Sequence, residues 1–269
     1  MDRRIARARR ASGEVCFGLV QGLGTEQTWF TPVSGTLLDR RWDAVESPIP
    51  IDEVELLCPV VPSKVVGIGT NYRAHAAEMG RSIPAVPKMF LMPGTAVIGP
   101  GRAIEVPPGT TRVDHEAELA VVIGRRTSRV SVACALDHVV GLTVANDVTA
   151  RDFQRADKVF ARAKGFDTFC PLGPWVAVDL DPSDLRVQAH VDGTLRQDGR
   201  TADLIFDVPT LVSFVSHVMT LLPGDVIATG TPSGVGPIGA GQTVRVSVEG
   251  IGALENPVVD REDRLEAGT

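Results

Sequence analysis

Short apolar segments with a period of two run through most of the chain. In a strand, successive side chains point to opposite faces, so alternation of apolar and polar residues predicts strands with one buried face. Turn residues separate these segments, and Asp192-Gly193 is a strong signal for a two-residue hairpin. The clearest predicted strands cover residues 3–9, 15–20, 187–191 and 244–248.

Helical spacing is confined to a few places. The strongest predicted helix covers residues 208–222, where apolar residues recur every three or four positions and Pro223-Gly224 ends the pattern. A shorter helix is predicted over residues 131–137. Because short strands and tight turns dominate the rest, the pattern favours a mixed, β-rich α+β fold with few helices.

The N-terminal part of the chain is predicted to form a unit of its own. Its two strands are followed by a proline-rich loop at residues 48–62. We therefore predict a small β domain at residues 1–58 and a main domain at residues 59–269. A chain of 269 residues with 43% hydrophobic and 22% charged residues has the composition of a globular protein with a sizeable core.

Charge and composition narrow the predicted partners and location. A formal net charge of −6 gives no reason to expect nucleic acid or an anionic membrane as a partner. No window approaches eighteen uninterrupted apolar residues, so no membrane span is predicted. The arginine-rich start lacks the apolar stretch of a secretory signal and leads directly into strand-like sequence, which disfavours a transit peptide. Four scattered cysteines without a CxxC pair indicate reduced thiols in a cytoplasmic protein.

Three carboxylates are predicted to meet at one end of a sheet. Glu116 and Glu118 begin an apolar strand and, being two residues apart, share one face of it. Asp147 closes a second apolar run. Crowded carboxylates repel one another unless a cation compensates them, and all-oxygen ligation favours Mg²⁺, Mn²⁺ or Ca²⁺ over Zn²⁺. Asp114 shares the face of Glu116 but lies nearer the preceding loop, so it is a candidate to support the metal ligands without binding the ion. His115 is expected to face the opposite side of the strand.

A candidate general base lies in the segment GTNYRAHAAEMGR. His75 and Glu78 are three residues apart, a spacing that makes them neighbours on a helical turn. A carboxylate beside an imidazole fixes its tautomer and raises its basicity, although an exposed ion pair is the alternative interpretation. Gly69 and Gly80 flank the segment and suit a short element that opens and closes over a pocket. Tyr72, in the same segment, is a predicted substrate contact.

Candidate substrate-binding residues follow the second carboxylate segment. Arg151, Gln154 and Lys164 lie downstream of Asp147, and cations beside a divalent ion are suited to holding a substrate carboxylate. A solvated basic surface is the alternative interpretation.

Two glycine-rich loops do not have the pattern of nucleotide-binding motifs. The first, GIGTNY, lacks the third glycine of a dinucleotide-binding loop. The second, TGTPSGVGPIGAG, lacks the Gly-Lys-Ser/Thr of a P-loop. We expect the second loop to present the Thr231 hydroxyl and backbone amides beside the site.

These segments together resemble the fumarylacetoacetate hydrolase family over about residues 61–259. The similarity rests on four blocks: KVVGIGTNYRAHAAEMG, DHEAELAVVIG, GLTVANDVTARDFQ with ARAKGFDTFCPLGPW, and LLPGDVIATGTPSGVG with ENPVV. The resemblance implies a β-sheet roll, a homodimer, a Mg²⁺ or Mn²⁺ ion and a metal-dependent catalytic domain at residues 59–269. It implies metal ligands Glu116, Glu118 and Asp147, a lid dyad of His75 and Glu78, and substrate contacts Arg151, Gln154, Lys164 and Thr231. We include Lys164 with the dyad among the predicted catalytic residues.

One position departs from the family pattern. Met92 stands where many relatives carry a lysine, and Gly94 stands where they carry a less flexible residue. If that lysine holds substrate in the relatives, Met92 changes which substrate is accepted and leaves the metal chemistry intact.

The reaction implied by the resemblance starts with a 2-oxo acid chelated by the ion, which stabilises an enolate. We favour hydrolysis of a carbon–carbon bond in a 1,3-diketo acid of the acylpyruvate or fumarylacetoacetate type, because the dyad suits water activation. Decarboxylation of a 2-oxo acid such as oxaloacetate or of 5-oxopent-3-ene-1,2,5-tricarboxylate, and isomerisation of 2-hydroxyhepta-2,4-diene-1,7-dioate, are the alternatives within the family. The alternative of another class is a ligand-binding relative that lacks catalysis.

Overall fold

The computed structural model describes residues 3–262 and is dominated by strands. Within that range the strands are β1 (Arg3–Arg9), β2 (Val15–Gln21), β3 (Trp29–Pro32), β4 (Ile49–Pro50), β5 (Glu55–Leu57), β6 (Lys64–Gly69), β7 (Lys88–Pro93), β8 (Val97–Ile98), β9 (Ile104–Val106), β10 (Val113–His115), β11 (Ala117–Ile123), β12 (Val139–Asn146), β13 (Thr149–Ala150), β14 (Cys170–Val178), β15 (Arg186–Val191), β16 (Thr194–Arg200), β17 (Val226–Ala228), β18 (Gly236–Ile238), β19 (Thr243–Val248) and β20 (Gly252–Asp260).

Helices are few and short. The α-helices of the described range are α1 (Arg73–Glu78), α2 (Arg151–Asp157), α3 (Ala161–Lys164) and α4 (Val208–Val218). Six 3-10 turns cover Leu37–Asp39, Ile51–Glu53, Gly94–Ala96, Val132–Cys134, Leu136–His138 and Thr201–Asp203. Among residues 3–262, every helix is too short or too polar to cross a bilayer. This composition of elements confirms the predicted β-rich α+β fold.

The strands of residues 3–262 form three sheets. The largest has the order β4-β3-β2-β1-β14-β12-β11-β17-β6-β7, with β5 added to β1 and β8 added to β14. A second sheet has the order β16-β15-β19-β20-β9, and β13-β10-β18 form a small third one. The predicted hairpin is confirmed, since Asp192 and Gly193 connect β15 to β16 with φ of 48° and 75°, as a type I′ turn requires.

The central strand β11 is buried on both faces. Leu119 and Val121 lie in one apolar cluster, which also contains Val187 and Val246 from the second sheet. Ala120 and Val122 point the other way, into a separate apolar cluster. A strand covered on both sides is expected to be apolar throughout. Packing therefore does not explain the carboxylates at the start of β11.

The N-terminal strands continue the largest sheet. β1 pairs antiparallel with β14, where Arg3 lies opposite Val178. The stretch predicted as a proline-rich loop contains β4 and β5, and β5 pairs with β1, so the prediction of a loop there was wrong. Short strands without strict alternation give a weak local signal, and pairing of β4 with β3 and of β5 with β1 decides their conformation. The boundary at residue 58 stays a prediction.

Two predicted helices are shorter than expected. The helix predicted for residues 208–222 ends at Val218, because Leu221 exchanges backbone hydrogen bonds with Thr127 at 2.9 Å in both directions. That pairing requires an extended backbone, and Met219 already has φ −148° and ψ 154°. The helix predicted for residues 131–137 is two separate 3-10 turns.

A glycine on β6 determines how the partly buried Phe90 ring packs against the sheet. Gly67 lies opposite Phe90 of β7, and a Cβ at Gly67 would lie only 2.1 Å from the Phe90 ring. The ring therefore lies across the bare backbone of β6. Phe90 packs on Phe160 with ring centroids 5.0 Å apart, and the Lys164 ammonium lies 4.9 Å from the Phe90 ring centroid.

We predict that Gly67→Ala lowers the free energy of unfolding by about 1–3 kcal/mol, because the Phe90 ring has to leave its rotamer or the strands must separate. Urea unfolding followed by circular dichroism measures this change. Gly239→Ala is the matched control, since open space surrounds its Cβ position. Equal stability of the two variants would contradict the close packing of the Phe90 ring on the backbone of Gly67.

Candidate active site

The antiparallel register of β11 and β12 brings three carboxylates together. Ala117 lies opposite Asn146, and the Asp147 amide donates to the Glu116 carbonyl at 2.9 Å. Asp147 therefore lies across from Glu116, and Glu118 follows two residues along on the same face. One ligand atom from each carboxylate lies within 4.8 Å of the others, and all three residues are buried.

The three carboxylates fit a hard divalent cation. Their donor set is oxygen only, as Mg²⁺ and Mn²⁺ prefer. Among the described residues, the buried Asp147 Oδ1 atom has no hydrogen-bond partner. A buried, unpartnered carboxylate oxygen is costly, and a cation between the three groups would satisfy it.

Two cations partly compensate the acidic cluster. The Lys164 ammonium, on α3, donates to Glu116 Oε2 at 2.9 Å and also to Asp147. The Arg151 guanidinium, at the start of α2, donates to Asp114 at 2.8 Å, to Gln154 at 3.1 Å and also to Glu116. Both cations are therefore engaged with carboxylates of the site, and they hold Glu116 from two sides.

The charges and burial shift the three carboxyl groups in different directions. Burial alone would raise the pKa of Glu116, but Lys164 and Arg151 outweigh it and lower that pKa to about 2. Burial, followed by the charges of Asp147 and Glu116, raises the pKa of Glu118 well above its usual value. Burial also raises the pKa of Asp147 to about 6, against the opposing charge of Lys164. Glu118 and Asp147 therefore keep their protons to higher pH than exposed carboxyl groups do, whereas Lys164 and Arg151 keep Glu116 ionised.

The predicted dyad is formed and is tied to the glycine-rich loop. His75 Nδ1 lies 3.1 Å from Glu78 Oε2 on α1, and the Gly234 amide donates to Glu78 Oε1 at 2.9 Å. His75 is buried, with 5% of its surface exposed. An ionised Glu78 accepts the proton on Nδ1, and this tautomer leaves the lone pair on Nε2 available to a substrate.

One small pocket collects most of the predicted site residues. Its lining includes His75, Glu116, Glu118, Asp147, Arg151, Gln154, Lys164 and Thr231, and its cavity volume is about 20 Å³. Tyr72 does not line it. Its side chain is fully buried, the hydroxyl has no partner among the described residues, and burial raises the pKa of that hydroxyl. The proposed roles of these residues in ligand binding stay predictions.

Met92 lies beneath the site and does not line the pocket. It is 1% exposed, on β7, in the apolar cluster that also contains Val65 and Ala120. The position that departs from the family pattern is therefore an apolar one in this chain.

Sequence reasoning missed a residue that supports the site from the second sheet. Gln197 of β16 is fully buried. Its side-chain oxygen accepts from the Ala117 amide at 2.9 Å and lies 3.0 Å from His115 Nδ1. Its amide group donates to the Thr231 hydroxyl at 2.7 Å. Gln197 thereby connects β11 to the glycine-rich loop, through contacts 80 residues away with Ala117 and 34 residues away with Thr231, which no local pattern signals.

Family membership follows from comparison with known proteins. The family model described as "Fumarylacetoacetate (FAA) hydrolase C-terminal" matches residues 64–259. The mitochondrial oxaloacetate tautomerase FAHD1 of Oryza sativa subsp. japonica is 43% identical over 209 residues, which cover 74% of this chain and 90% of the relative.

Solved structures agree with this assignment. The 5-carboxymethyl-2-hydroxymuconate delta-isomerase of Mycobacterium smegmatis superposes with a TM-score of 0.89 at 45% identity, covering 96% of this chain and 100% of its own. The maleylpyruvate hydrolase of Sphingobium sp. SYK-6, solved with manganese(II) and pyruvate, gives a TM-score of 0.77 at 29% identity with coverage of 96% and 100%. These relatives are named as enzymes with differing reactions. As the sequence motifs predicted, the chain belongs to the fumarylacetoacetate hydrolase family.

Proposed function

We propose that this protein is a divalent-metal-dependent enzyme of 2-oxo acids that catalyses proton transfer, as a tautomerase or isomerase. The observation that carries the proposal is the position of His75, backed by Glu78, in the same pocket as the three carboxylates. A base beside a cluster fitted to a dication is suited to removing a proton next to a carbonyl group. The tautomerase and isomerase relatives at 43% and 45% identity favour this reaction class.

The residues of the chain have distinct tasks in this proposal. Glu116, Glu118 and Asp147 would hold a Mg²⁺ or Mn²⁺ ion, which would supply Lewis-acid stabilisation of negative charge on the substrate's 2-oxo oxygen. His75 Nε2 takes a proton from the carbon next to the 2-oxo group, and Glu78 stabilises the resulting imidazolium. Return of that proton to a different atom of the substrate completes a tautomerisation or isomerisation. Lys164 contributes a fixed positive charge at the floor of the pocket.

Hydrolysis of a carbon–carbon bond remains the second candidate. The same His75–Glu78 pair can take a proton from water, whose oxygen then attacks the distal carbonyl of a 1,3-diketo acid. The bond to the adjacent carbon breaks, and that carbon leaves with the electron pair as the enolate of a 2-oxo acid. The hydrolase relative at 29% identity supports this candidate.

A substrate panel tests the proposal. With Mn²⁺ added, we expect the enol form of oxaloacetate to convert to the keto form faster than in buffer with Mn²⁺ alone, which loss of the enol ultraviolet absorbance measures. Chelation of the metal should abolish the acceleration. Release of acetate and pyruvate from acetylpyruvate would establish hydrolysis instead, and release of carbon dioxide from oxaloacetate would establish decarboxylation. Absence of turnover on all of these and on a hydroxydienoate would contradict the proposal.

Replacing the base should separate chemistry from metal binding. We expect His75→Asn to lower kcat by about 100-fold or more, because proton transfer in the transition state typically contributes a factor of about 10²–10⁴. Mn²⁺ should still raise the melting temperature of the His75→Asn variant, since His75 is not one of the three proposed metal ligands. His217→Asn, at an exposed histidine of α4, is the matched control. A His75 variant with full kcat would exclude it as the base.

The raised pKa values predict a pH dependence for metal binding. A carboxyl group with a higher pKa in the folded state stabilises the fold at low pH, and this stabilisation is lost as pH rises through the folded value. Without a cation, Asp147, whose pKa is about 6, should therefore lower the melting temperature as pH rises from about 5 to about 7, and Glu118 should act in the same direction. Glu116 remains ionised throughout this range because its pKa is about 2.

Mn²⁺ should therefore raise the melting temperature more at the upper end of that range than at the lower end. In Glu118→Gln we expect a higher melting temperature without metal and a smaller increase with Mn²⁺, because one buried charge is gone. Differential scanning fluorimetry at both pH values measures these shifts. A Mn²⁺ effect that is the same in Glu118→Gln and in the unaltered protein would contradict the assignment of Glu118 as a ligand.

A further inference from the structure

We propose that Arg81 binds a second carboxylate at the far end of the substrate, so that this enzyme is selective for dicarboxylic 2-oxo acids. This inference rests on the proposed function. In that proposal, Glu116, Glu118 and Asp147 hold the cation that binds one end of the substrate, and Arg81 binds the other end. Arg81 lines the same pocket as Glu116, Glu118 and Asp147, together with His75.

The backbone fixes the position of Arg81. Gly80 has a left-handed φ of 60°, its amide donates to the Ala77 carbonyl, and the Arg81 amide donates to the Ala76 carbonyl at 2.8 Å. This pair of bonds is a Schellman motif, which ends a helix and reverses the direction of the chain. The turn after α1 therefore returns Arg81 to the pocket that His75 enters from the helix.

The guanidinium group of Arg81 lacks an acidic partner. Its Nη1 atom donates to the Thr70 hydroxyl at 3.3 Å, and no carboxylate of residues 3–262 lies within 4.0 Å of it. Arg151 and Lys164, the other cations of the pocket, are both bound to carboxylates of the protein. Among the described cations that line this pocket, Arg81 is therefore the one that no carboxylate of residues 3–262 engages, and a guanidinium fork matches a carboxylate through two parallel hydrogen bonds.

The surfaces between the two ends of the pocket suit a short carbon chain. Phe90 and Phe160 line the pocket with their rings 5.0 Å apart. A 2-oxo acid head group at the carboxylate cluster and a carboxylate at Arg81 would place the intervening carbons beside these rings and His75. The tail of acetylpyruvate carries no carboxylate, so it lacks the group that Arg81 would bind.

Two stable acids isolate the contribution of the distal carboxylate. Malate and 2-hydroxybutyrate share a 2-hydroxy acid head group and a four-carbon chain, and they differ in a terminal carboxylate against a methyl group. We expect the Mn²⁺-loaded protein to bind malate about tenfold or more tightly, because a hydrogen-bonded charge pair contributes that much. Isothermal titration calorimetry on the full chain measures both dissociation constants.

Variants at Arg81 assign the preference to this side chain. Arg81→Gln should reduce malate affinity about tenfold, leave 2-hydroxybutyrate affinity unchanged, and so remove the preference. Arg81→Lys should keep part of it. Arg73→Gln, at an exposed arginine on the same short helix, should retain the full preference. In turnover, Arg81→Gln should raise KM for oxaloacetate more than it lowers kcat.

The outcomes distinguish failure of this inference from failure of the proposed function. Equal affinity for the two acids in the unaltered protein, or an equal loss for both in Arg81→Gln, would overturn the role of Arg81 while leaving the metal site in place. If neither acid binds the Mn²⁺-loaded protein, the head-group site itself is absent and the proposed function fails with it.

Discussion

The structure depends on keeping three carboxylates buried side by side. An isolated buried carboxylate costs several kcal/mol, and Glu116, Glu118 and Asp147 share one end of an apolar sheet. Lys164 and Arg151 are placed against Glu116 and supply part of the compensation. Burial, followed by the charges of Asp147 and Glu116, raises the pKa of Glu118, whereas Lys164 and Arg151 lower that of Glu116. A buried cluster of three carboxylates with such divergent pKa values could hold a divalent cation.

The sheet explains why this cluster can exist without disrupting the core. β11 is apolar on both faces from Leu119 onward, and the acidic residues lie near the end of its pairing with β12. Strand ends can receive helices and loops, and here α2, α3 and the glycine-rich loop deliver Arg151, Lys164 and Thr231 to the same pocket. The paired strands therefore fix the positions of the three carboxylates, and the connecting segments add the other polar groups around them.

Sequence reasoning found the parts of the site that follow from short-range geometry. The spacing of two between Glu116 and Glu118, and of three between His75 and Glu78, determines which side chains are neighbours within one element. Arg151, Gln154, Lys164 and Thr231 were predicted from their positions after Asp147 and in the glycine-rich loop, and the family resemblance assigned the same residues as substrate contacts. Gln197 and the pairing of β5 with β1 depend on residues far apart in sequence, so no local period reveals them. The early end of α4 has the same cause, since the partner of Leu221 is Thr127.

The small volume of the pocket means that a ligand can enter only if part of the surrounding structure moves. Pockets that enclose small-molecule ligands typically measure about 300–1,000 Å³, whereas this cavity measures about 20 Å³. A four-carbon acid therefore reaches the carboxylates only if the segment that covers the pocket, α1 and the turn after it, moves. That segment carries both His75 and Arg81, and it is held closed by the bond from Gly234 to Glu78 and by that from Arg81 to Thr70. In the proposed reaction, opening would withdraw His75 and Arg81 together, so proton transfer requires that the segment close over the substrate and exclude water.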